Sequence, residues 1–291
     1  MPRIRLGVVT LALAALLLAP NAPADAQQAQ TRAPEANAKE KPKPKEKAKS
    51  KTPGKVRREP PGYYMGRRVA DVMSYLGADW LVRESREQEE HPEQMLDALK
   101  IPKGATVADV GAGVGYTSLR IARRVGPDGT VYATDLQPEM IKMLVANARE
   151  AGADNIKPVL CTASDPKLPA GKVDLILMVD VYHECSDPVA TLKGLRRALK
   201  PGGRLVLVEF RGEDPDVPIK PEHKMTLKQV RREIEPKGFT FKESLEFLPW
   251  QHIIIFEKPK DEAEKDKADA PGDKADAAKA GKEKAEAATA P

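Results

Sequence analysis

One stretch decides the fold of this chain, and it reads Val107-Ala-Asp-Val-Gly-Ala-Gly-Val-Gly-Tyr116. Residues 107–110 are mostly apolar and include two β-branched valines, which predicts a short buried strand. The alternating glycines that follow let the backbone turn sharply and let a ligand approach it closely. From Tyr116 to Val125, apolar residues recur at helical spacing. A strand, a glycine turn and a helix in this order predict the first half of a nucleotide-binding βαβ unit.

The spacing of the glycines distinguishes two kinds of nucleotide site. A dinucleotide fingerprint, G-x-G-x-x-G, needs its third glycine where this chain has Tyr116. The chain instead has D-x-G-x-G-x-G from Asp109 to Gly115. A second predicted strand, residues 130–134, is followed by Asp135, whose carboxylate can accept hydrogen bonds from two ribose hydroxyls. The pattern therefore disfavours an NAD-dependent dehydrogenase, which stays open only as an alternative.

These features resemble motif I of the class I S-adenosylmethionine (SAM)-dependent methyltransferases, of the type 11 and type 25 kind. The segment 199–210, Leu-Lys-Pro-Gly-Gly-Arg-Leu-Val-Leu-Val-Glu-Phe, is also typical of that family. The resemblance covers residues 62–258. It implies an α/β, Rossmann-like fold with a seven-stranded, mostly parallel sheet, an antiparallel last strand, helices on both faces and an N-terminal helical cap. It also implies that the protein is an enzyme with SAM as its cofactor.

The resemblance further implies a cofactor site at the ends of the first strands. Motif I would border the methionine part of SAM, while Asp135 and Leu136 would hold ribose and adenine. Many family members carry an acid after the third strand, here 156–161, but this chain has Thr162, which would bind the adenine amine instead. The expected cofactor-binding residues are Asp109, Gly111, Ala112, Gly113, Gly115, Asp135, Leu136, Thr162, Ala163 and Asp180.

The candidate catalytic residues follow the fourth predicted strand, residues 173–179, in the sequence Asp180-Val-Tyr-His-Glu184. Ligands bind beyond the carboxyl ends of parallel strands, and the resemblance implies that this segment faces the methyl group and its acceptor. His183 could take a proton from an acceptor hydroxyl or amine. Alternatively, it is a packing histidine that orders the loop. Asp180, Tyr182 and His183 are therefore the candidates for catalysis.

The predicted cap contains helical runs over residues 69–76, 80–90 and 92–99. Arg83 and Arg86 lie one helical turn apart within it. They either face a substrate or the SAM carboxylate, or they pair with neighbouring glutamates at helical spacing. Both interpretations stay open on the sequence alone.

Metal binding has little support in the linear pattern. The histidines, His91, His183, His223 and His252, include no i, i+4 pair, and there is no CxxC motif. The two cysteines, at positions 161 and 185, follow strands that other strands should separate by more than the roughly 7 Å reach of a disulfide. We expect free thiols, with a catalytic cysteine at position 185 as the alternative.

The first 26 residues have the pattern of a secretory signal peptide. Arg3 and Arg5 precede an apolar run over residues 6–19, and Ala24-Asp-Ala26 is a small-x-small cleavage site. We expect a periplasmic or secreted protein, with an uncleaved anchor as the alternative. No later segment is long and apolar enough to span a membrane. Export is an unusual combination with SAM, which is a cytoplasmic metabolite.

The net charge of +5 is concentrated in a Lys/Pro/Ala-rich linker, residues 27–60. No aromatic residues alternate with its lysines between positions 39 and 58, so a disordered linker is favoured over a nucleic-acid-binding arm. The methyltransferase domain is expected over residues 61–258, with its cap over 61–103. An Ala/Lys/Glu-rich tail, expected to be disordered, covers residues 259–291.

A small-molecule acceptor is the favoured partner. The segment 180–183 lacks the N/D-P-P-Y motif of base-flipping amino-methyltransferases, which argues against DNA as the acceptor. A protein or RNA methyltransferase stays open. So does a SAM- or nucleoside-binding protein without catalysis, because a fold does not determine a function.

Overall fold

A mixed β-sheet organises residues 59–260, the part of the chain that this computed structural model describes. The predicted signal peptide, the linker as far as residue 58 and the tail from residue 261 lie outside the described residues. Among the described residues, no helix is both long and apolar enough to cross a membrane.

The strands and α-helices follow one another along the chain as β1 (Tyr63–Tyr64), β2 (Arg67–Arg68), α1 (Arg86–Glu90), α2 (Pro92–Ala98), β3 (Thr106–Val110), α3 (Tyr116–Val125), β4 (Thr130–Asp135), α4 (Pro138–Glu150), β5 (Ile156–Leu160), β6 (Val173–Val179), α5 (Pro188–Ala198), β7 (Leu199–Arg211), β8 (Lys224–Met225), α6 (Leu227–Ile234), β9 (Thr240–Leu245) and β10 (Gln251–Glu257). Short 3₁₀ helices cover Tyr75–Val82, Tyr182–Glu184, Pro221–His223 and Glu235–Lys237.

The sheet confirms the predicted fold class. Its strand order is β5-β4-β3-β6-β7-β10-β9, and the two-residue β8 pairs with β7 as an additional strand. Neighbours from β5 to β7 are parallel, whereas β10 is antiparallel to both β7 and β9. The chain runs outward from β3 to β5 and then returns to the other side of β3 as β6. This reversal beside β3 creates a crevice at the carboxyl ends of the strands, where ligands bind in such folds.

Alternating side chains of the central strands fill two apolar cores, one on each face of the sheet. In β6, Leu175 and Leu177 belong to one core, while Ile176 and Met178 belong to the other. These four side chains are at most 2% exposed. A strand with apolar residues at nearly every position is stable only when both faces are covered, as α-helices cover them here. The apolar run that predicted this strand therefore reflects its central position.

The N-terminal cap differs from its prediction. Residues 69–74 form no regular helix, a 3₁₀ helix covers Tyr75–Val82, and only α2 agrees with the helix expected over residues 92–99. The backbone N–H of Val69 donates to the carbonyl of Gly62, and that of Ala70 donates to the carbonyl of His183. These bonds hold the start of the expected helix against other segments, whereas a helix beginning at residue 69 would leave both amides without an intrahelical partner. The hairpin of β1 and β2 was not predicted.

Candidate functional site

A cavity of about 270 Å³ opens at the carboxyl ends of β3, β4, β5 and β6, in the crevice that the strand order creates. The predicted site residues on its wall are Gly111, Gly113, Asp135, Leu136, Thr162, Ala163, Asp180 and His183. Four other predicted site residues, Asp109, Ala112, Gly115 and Tyr182, are not among the lining residues. The structure therefore brings together residues from four strand ends that lie as much as 72 positions apart.

The glycine loop is closed against the end of β4. The amides of Gly111 and Ala112 both donate to the carbonyl of Thr134, and the amide of Gly113 donates to Oδ2 of Asp135 at 2.9 Å. The other carboxylate oxygen, Oδ1, accepts from the amide of Gln137 at 2.9 Å. Burial raises the pKa of Asp135, which is only 8% exposed. Each oxygen keeps a lone pair for a further donor, so the carboxylate fits a pair of ribose hydroxyls.

Two loop positions require glycine. Gly111 and Gly113 have φ angles of +76° and +53°, in the left-handed region that side chains other than glycine rarely adopt. A Cβ at position 111 would also overlap with the side chain of Val181, and a Cβ at position 113 would lie 2.6 Å from Cδ1 of Leu81. The loop therefore presents bare main chain to the cavity while other segments pack closely on it.

Asp109 lies behind the cavity wall. It is 2% exposed, and its Oδ2 accepts a 2.6 Å hydrogen bond from the hydroxyl of Ser118. Burial raises the pKa of Asp109 to about 6, and the Ser118 hydrogen bond opposes that shift. Gly115 begins α3 with a φ of +89°, where a Cβ would lie 3.2 Å from Leu144. Both residues shape the turn from within, which differs from the expectation that they border SAM directly.

Beyond β5, Thr162 and Ala163 line the cavity but already have partners. The Thr162 hydroxyl accepts from the amide of Asp165 at 3.0 Å and so closes its own turn. The Ala163 carbonyl accepts from the hydroxyl of Thr191 at 3.0 Å. Leu136 is 38% exposed on the same wall. An adenine contact by Thr162 stays a prediction, and its hydroxyl would have to be shared with this turn.

Asp180 is a strained residue at the end of β6. Its φ of +54° is left-handed although it is not glycine, and such strain often occurs at functional sites. Oδ2 accepts from Nε2 of Gln251 at 3.2 Å, whereas Oδ1 is buried without a hydrogen-bond partner among residues 59–260. Burial, followed by the nearby charges of Glu90 and Glu209, raises the pKa of Asp180 well above its usual value. A buried carboxylate oxygen without a partner is unusual, which marks Asp180 as a further feature of this strand end.

The cap arginines pair with glutamates, as one of the two interpretations predicted. Arg83 contacts Glu90 at 2.8 Å, and its guanidinium lies 3.8 Å from the ring centroid of Trp80. Arg86 contacts Glu90 at 2.8 Å and stacks 4.2 Å from the ring centroid of Tyr116. Both arginines nevertheless line the cavity, so they contribute positive charge to its wall.

A cluster of titratable side chains forms one side of the cavity. Nδ1 of His183 lies 2.5 Å from Oε2 of Glu209, and Nε2 lies 3.0 Å from Nδ1 of His223. Oε1 of Glu184 lies 4.0 Å from the same Nε2 atom. Burial raises the pKa of Glu184 to about 7, while burial and the neighbouring His183 lower the pKa of His223.

Sequence reasoning missed Glu209 and His223 as site residues. Glu209 is a fully buried acid within an apolar run of β7. An acid inside an apolar run was the signal that could have identified it from the sequence. Nothing in the linear pattern brings His223 to His183, because they are 40 residues apart. The prediction that no metal binds depended on scattered histidines, and that premise is wrong: ligand atoms of His183, Glu184 and His223 all lie within 4.8 Å of one another.

Tyr182 faces away from the cavity. Its side chain is 0% exposed, and its hydroxyl donates to Oε2 of Glu233 at 2.9 Å. The guanidinium of Arg67 lies 5.5 Å from the centre of its ring. The expectation that Tyr182 acts on an acceptor is therefore corrected: the side chain anchors the 3₁₀ turn that carries His183.

Cys161 and Cys185 are free thiols, as predicted. Both line the cavity. Burial raises the pKa of the Cys185 thiol to about 12, so little thiolate exists at neutral pH. This environment disfavours the alternative of a catalytic cysteine.

Comparisons with known proteins fit this geometry. A family model described as a methyltransferase domain matches residues 101–267. The ubiquinone/menaquinone biosynthesis C-methyltransferase UbiE of Psychromonas ingrahamii is 32% identical over 116 residues, which cover 40% of this chain and 46% of that protein. The chain thus matches less than half the length of these curated relatives.

Solved structures share the fold. A SAM-dependent methyltransferase from Aquifex aeolicus has a TM-score of 0.61 and 27% sequence identity, and the match covers 64% of this chain and all of that one. The [4+2]-cyclase SpnF has 16% sequence identity and a TM-score of 0.51, and the match covers 58% of this chain and 80% of the cyclase. The cyclase shows a likeness of fold alone, and its name indicates that different reactions occur on this scaffold.

Proposed function

This chain belongs to the methyltransferase family whose domain model spans more than half of it, and on that premise we propose that it methylates a small, largely apolar acceptor. SAM is the cofactor of this family, and it supplies an electrophilic methyl group on a sulfonium. The enzyme itself binds SAM and the acceptor, aligns them for the transfer and excludes water.

The residues present fit SAM. Asp135 has free lone pairs for the ribose hydroxyls, and the bare main chain of Gly111 and Gly113 allows close approach. Asp180 lines the same cavity and is the residue that we expect beside the methionine part. Leu136 adds an apolar surface for the adenine ring. These five residues are the ones that we propose to hold the cofactor.

Much of the cavity wall is apolar. Its apolar residues include Val72, Met73, Trp80, Leu81, Phe210 and Ile219. Charged groups line it in the cap, where Arg83 and Arg86 pair with Glu90, and at the cluster around His183. Such a wall suits a molecule with an apolar body and one ionisable hydroxyl, thiol or amine. The curated relatives are named for carbon methylation in quinone biosynthesis, which supports an acceptor of this type.

We propose that His183 accepts the proton of the acceptor. A carboxylate can only accept hydrogen bonds, so Glu209 holds the proton of a neutral His183 on Nδ1. The Nε2 lone pair then faces the His223 ring, and both histidines line the cavity. The proposal depends on one observation: this oriented imidazole shares a cavity with the Asp135–Gly113 contact.

Transfer from methyl-labelled SAM tests the function. The full chain would be incubated with phenols, quinols, thiols and amines, and separately with RNA and unfolded protein. We expect labelling of an apolar small molecule and a loss of most activity in His183→Ala. Labelling only of RNA or protein would overturn the small-molecule proposal. SAM binding by calorimetry without transfer to any acceptor class would favour a binding protein instead.

We also propose that the protein is exported, on the strength of the pattern in residues 1–26. Sequencing the N-terminus of the protein isolated from its natural host would test this. A mature chain that begins at Gln27 is expected, and a chain that begins at Met1 in the cytoplasmic fraction would contradict export.

A further inference from the structure

Three potential metal ligands converge on one side of the cavity. These are Nε2 of His183, Nδ1 of His223 and a carboxylate oxygen of Glu184, all within 4.8 Å of one another. All three residues line the cavity, and the His183 side chain is almost fully buried beside it. We propose that they bind one divalent transition-metal ion. The proposal goes beyond methyl transfer and can be tested without it.

The distance between the two nitrogens suits a shared ion. Imidazole nitrogens lie about 2.0–2.1 Å from Zn²⁺, so two of them are about 3.3 Å apart at the tetrahedral angle and about 3 Å apart at the right angle of an octahedral ion. The nitrogens of His183 and His223 are 3.0 Å apart. Oε1 of Glu184, at 4.0 Å from the His183 nitrogen, is near the maximum separation for two ligands of one ion. Coordination therefore needs a rotation of the Glu184 side chain toward the histidines.

The second nitrogen of His183 has the partner that metal-binding histidines usually have. Such histidines donate their other ring N–H to a carboxylate or carbonyl, which fixes the ring and directs the free lone pair at the metal. Here Glu209 performs this role at 2.5 Å. Glu209 is itself fully buried, and its other oxygen accepts from the amide of Tyr182 at 2.8 Å. Glu209 is therefore a positioning residue for the proposed ligand.

The composition and openness of the cluster indicate which ion and which kind of site. Two imidazoles and one carboxylate suit Zn²⁺, Co²⁺ or Fe²⁺ rather than Ca²⁺ or Mg²⁺, which prefer all-oxygen ligands. Three protein ligands beside a cavity leave coordination positions open for water or for a donor atom of the acceptor. Structural metal sites, in contrast, are usually closed by a fourth protein ligand.

The alternative is a hydrogen bond between two neutral histidines. In that case Nδ1–H of His223 donates to Nε2 of His183, and no ion is needed for the 3.0 Å distance. That lone pair would then serve as the proton acceptor of the proposed function only after an acceptor group displaces the His223 N–H from it. One lone pair cannot do both at once, so a metal titration separates the two roles.

Cobalt binding tests the site directly. The full chain, stripped with EDTA, would be titrated with CoCl₂ while visible absorption is recorded, and with ZnCl₂ in a calorimeter. We expect one equivalent of Co²⁺ to bind with a d–d absorption band. His183→Ala and His223→Ala should each weaken binding at least about 10-fold, and Glu209→Gln by about 10- to 100-fold.

Matched controls separate loss of a ligand from loss of the fold. His91→Asn removes a histidine elsewhere in the cap, and asparagine tolerates the left-handed φ of +47° at that position. This variant should bind Co²⁺ like the wild type. His223→Ala should keep its circular dichroism spectrum and its affinity for SAM. Co²⁺ binding that is absent, or equal in the wild type and both histidine variants, would overturn the metal site and leave the proposed methyl transfer intact.

Discussion

Arg67 and Glu233 form a largely buried ion pair that joins the first hairpin of the described chain to α6, across 166 residues of sequence. Nε of Arg67 lies 2.8 Å from Oε1 of Glu233, and Nη1 donates to the carbonyl of His183 at 2.9 Å. Oε2 of Glu233 accepts from the hydroxyl of Tyr182. This network holds both sides of the turn that presents His183 to the cavity.

Removal of Arg67 should destabilise the protein strongly. Arg67→Ala leaves the fully buried Glu233 carboxylate without its countercharge, and breaking such a pair costs about 3–5 kcal/mol. Urea denaturation followed by circular dichroism measures the loss. Arg197→Ala is the control, because its pair with Asp165 is about half exposed on both sides and should contribute less than about 1 kcal/mol. Equal losses in the two variants would contradict the importance of the buried pair.

Asp135→Asn should weaken SAM binding without unfolding the protein. The amide group of asparagine can accept on one atom only, so either the Gly113 N–H or the Gln137 N–H loses its acceptor, together with the ribose hydroxyl that would donate to the same atom. At about 1.5–3 kcal/mol for a hydrogen bond to a charged group, we expect affinity to fall about 10- to 100-fold in calorimetry.

Asp174→Asn is the matched control for that measurement. Asp174 accepts from the amide of Thr106 and pairs with Lys200, near the start of β6 and away from the cavity. Its SAM affinity should equal that of the wild type. Calorimetry with NAD should show no binding to either protein, and NAD binding in place of SAM would favour a dehydrogenase.

Gly111→Ala should disrupt the glycine loop by two separate effects. The positive φ costs about 1–2 kcal/mol for a residue with a Cβ, and overlap with Val181 adds about 1–3 kcal/mol of overpacking. Gly152→Ala isolates the first effect, because its φ is +61° but no atom lies within 4 Å of the added Cβ. In urea denaturation, Gly111→Ala should have a lower free energy of unfolding than Gly152→Ala. Adding Val181→Ala to the Gly111→Ala variant should restore part of the lost stability.

Asp109 should make the protein less stable as the pH rises. Its folded pKa, about 6, lies above its ordinary value of 3.8, so the stabilising protonated form is lost as the pH rises toward and through 6. This group alone should lower the free energy of unfolding by about 1–2 kcal/mol between pH 5 and pH 7.5. Asp109→Asn should lack this decrease. Ser118→Ala should enlarge it, because the Ser118 hydroxyl stabilises the charged form. An unchanged pH profile in Asp109→Asn would assign the dependence to other groups.

Local patterns predicted the central strands of the sheet and the strand ends that line the cavity. The bounds of β6 agree with the apolar run over residues 173–179, because a strand buried on both faces needs apolar side chains at nearly every position. The glycine loop and Asp135 are neighbours in the fold because the carboxyl ends of the adjacent parallel strands β3 and β4 lie at the same edge of the sheet. In both cases the deciding contacts are either local or follow from the strand order that the motif implies.

The acceptor side could not be predicted in this way. Residues 69–76 have helical spacing in the sequence, yet the amides of Val69 and Ala70 bond to the carbonyls of Gly62 and His183. His223 meets His183 only because the 40 intervening residues return along β7 and its loop. The sequence position of Tyr182 is typical of a site residue, but in the fold its hydroxyl donates to Glu233 of α6. Each of these depends on a long-range partner, which residue spacing does not reveal.

The carbonyl oxygen of His183 accepts from the Ala70 amide and from Arg67 at the same time. Neither donor lines the cavity. The backbone position of this histidine is therefore set from outside the site, and a substitution at Arg67 would alter the site without changing any residue of its wall.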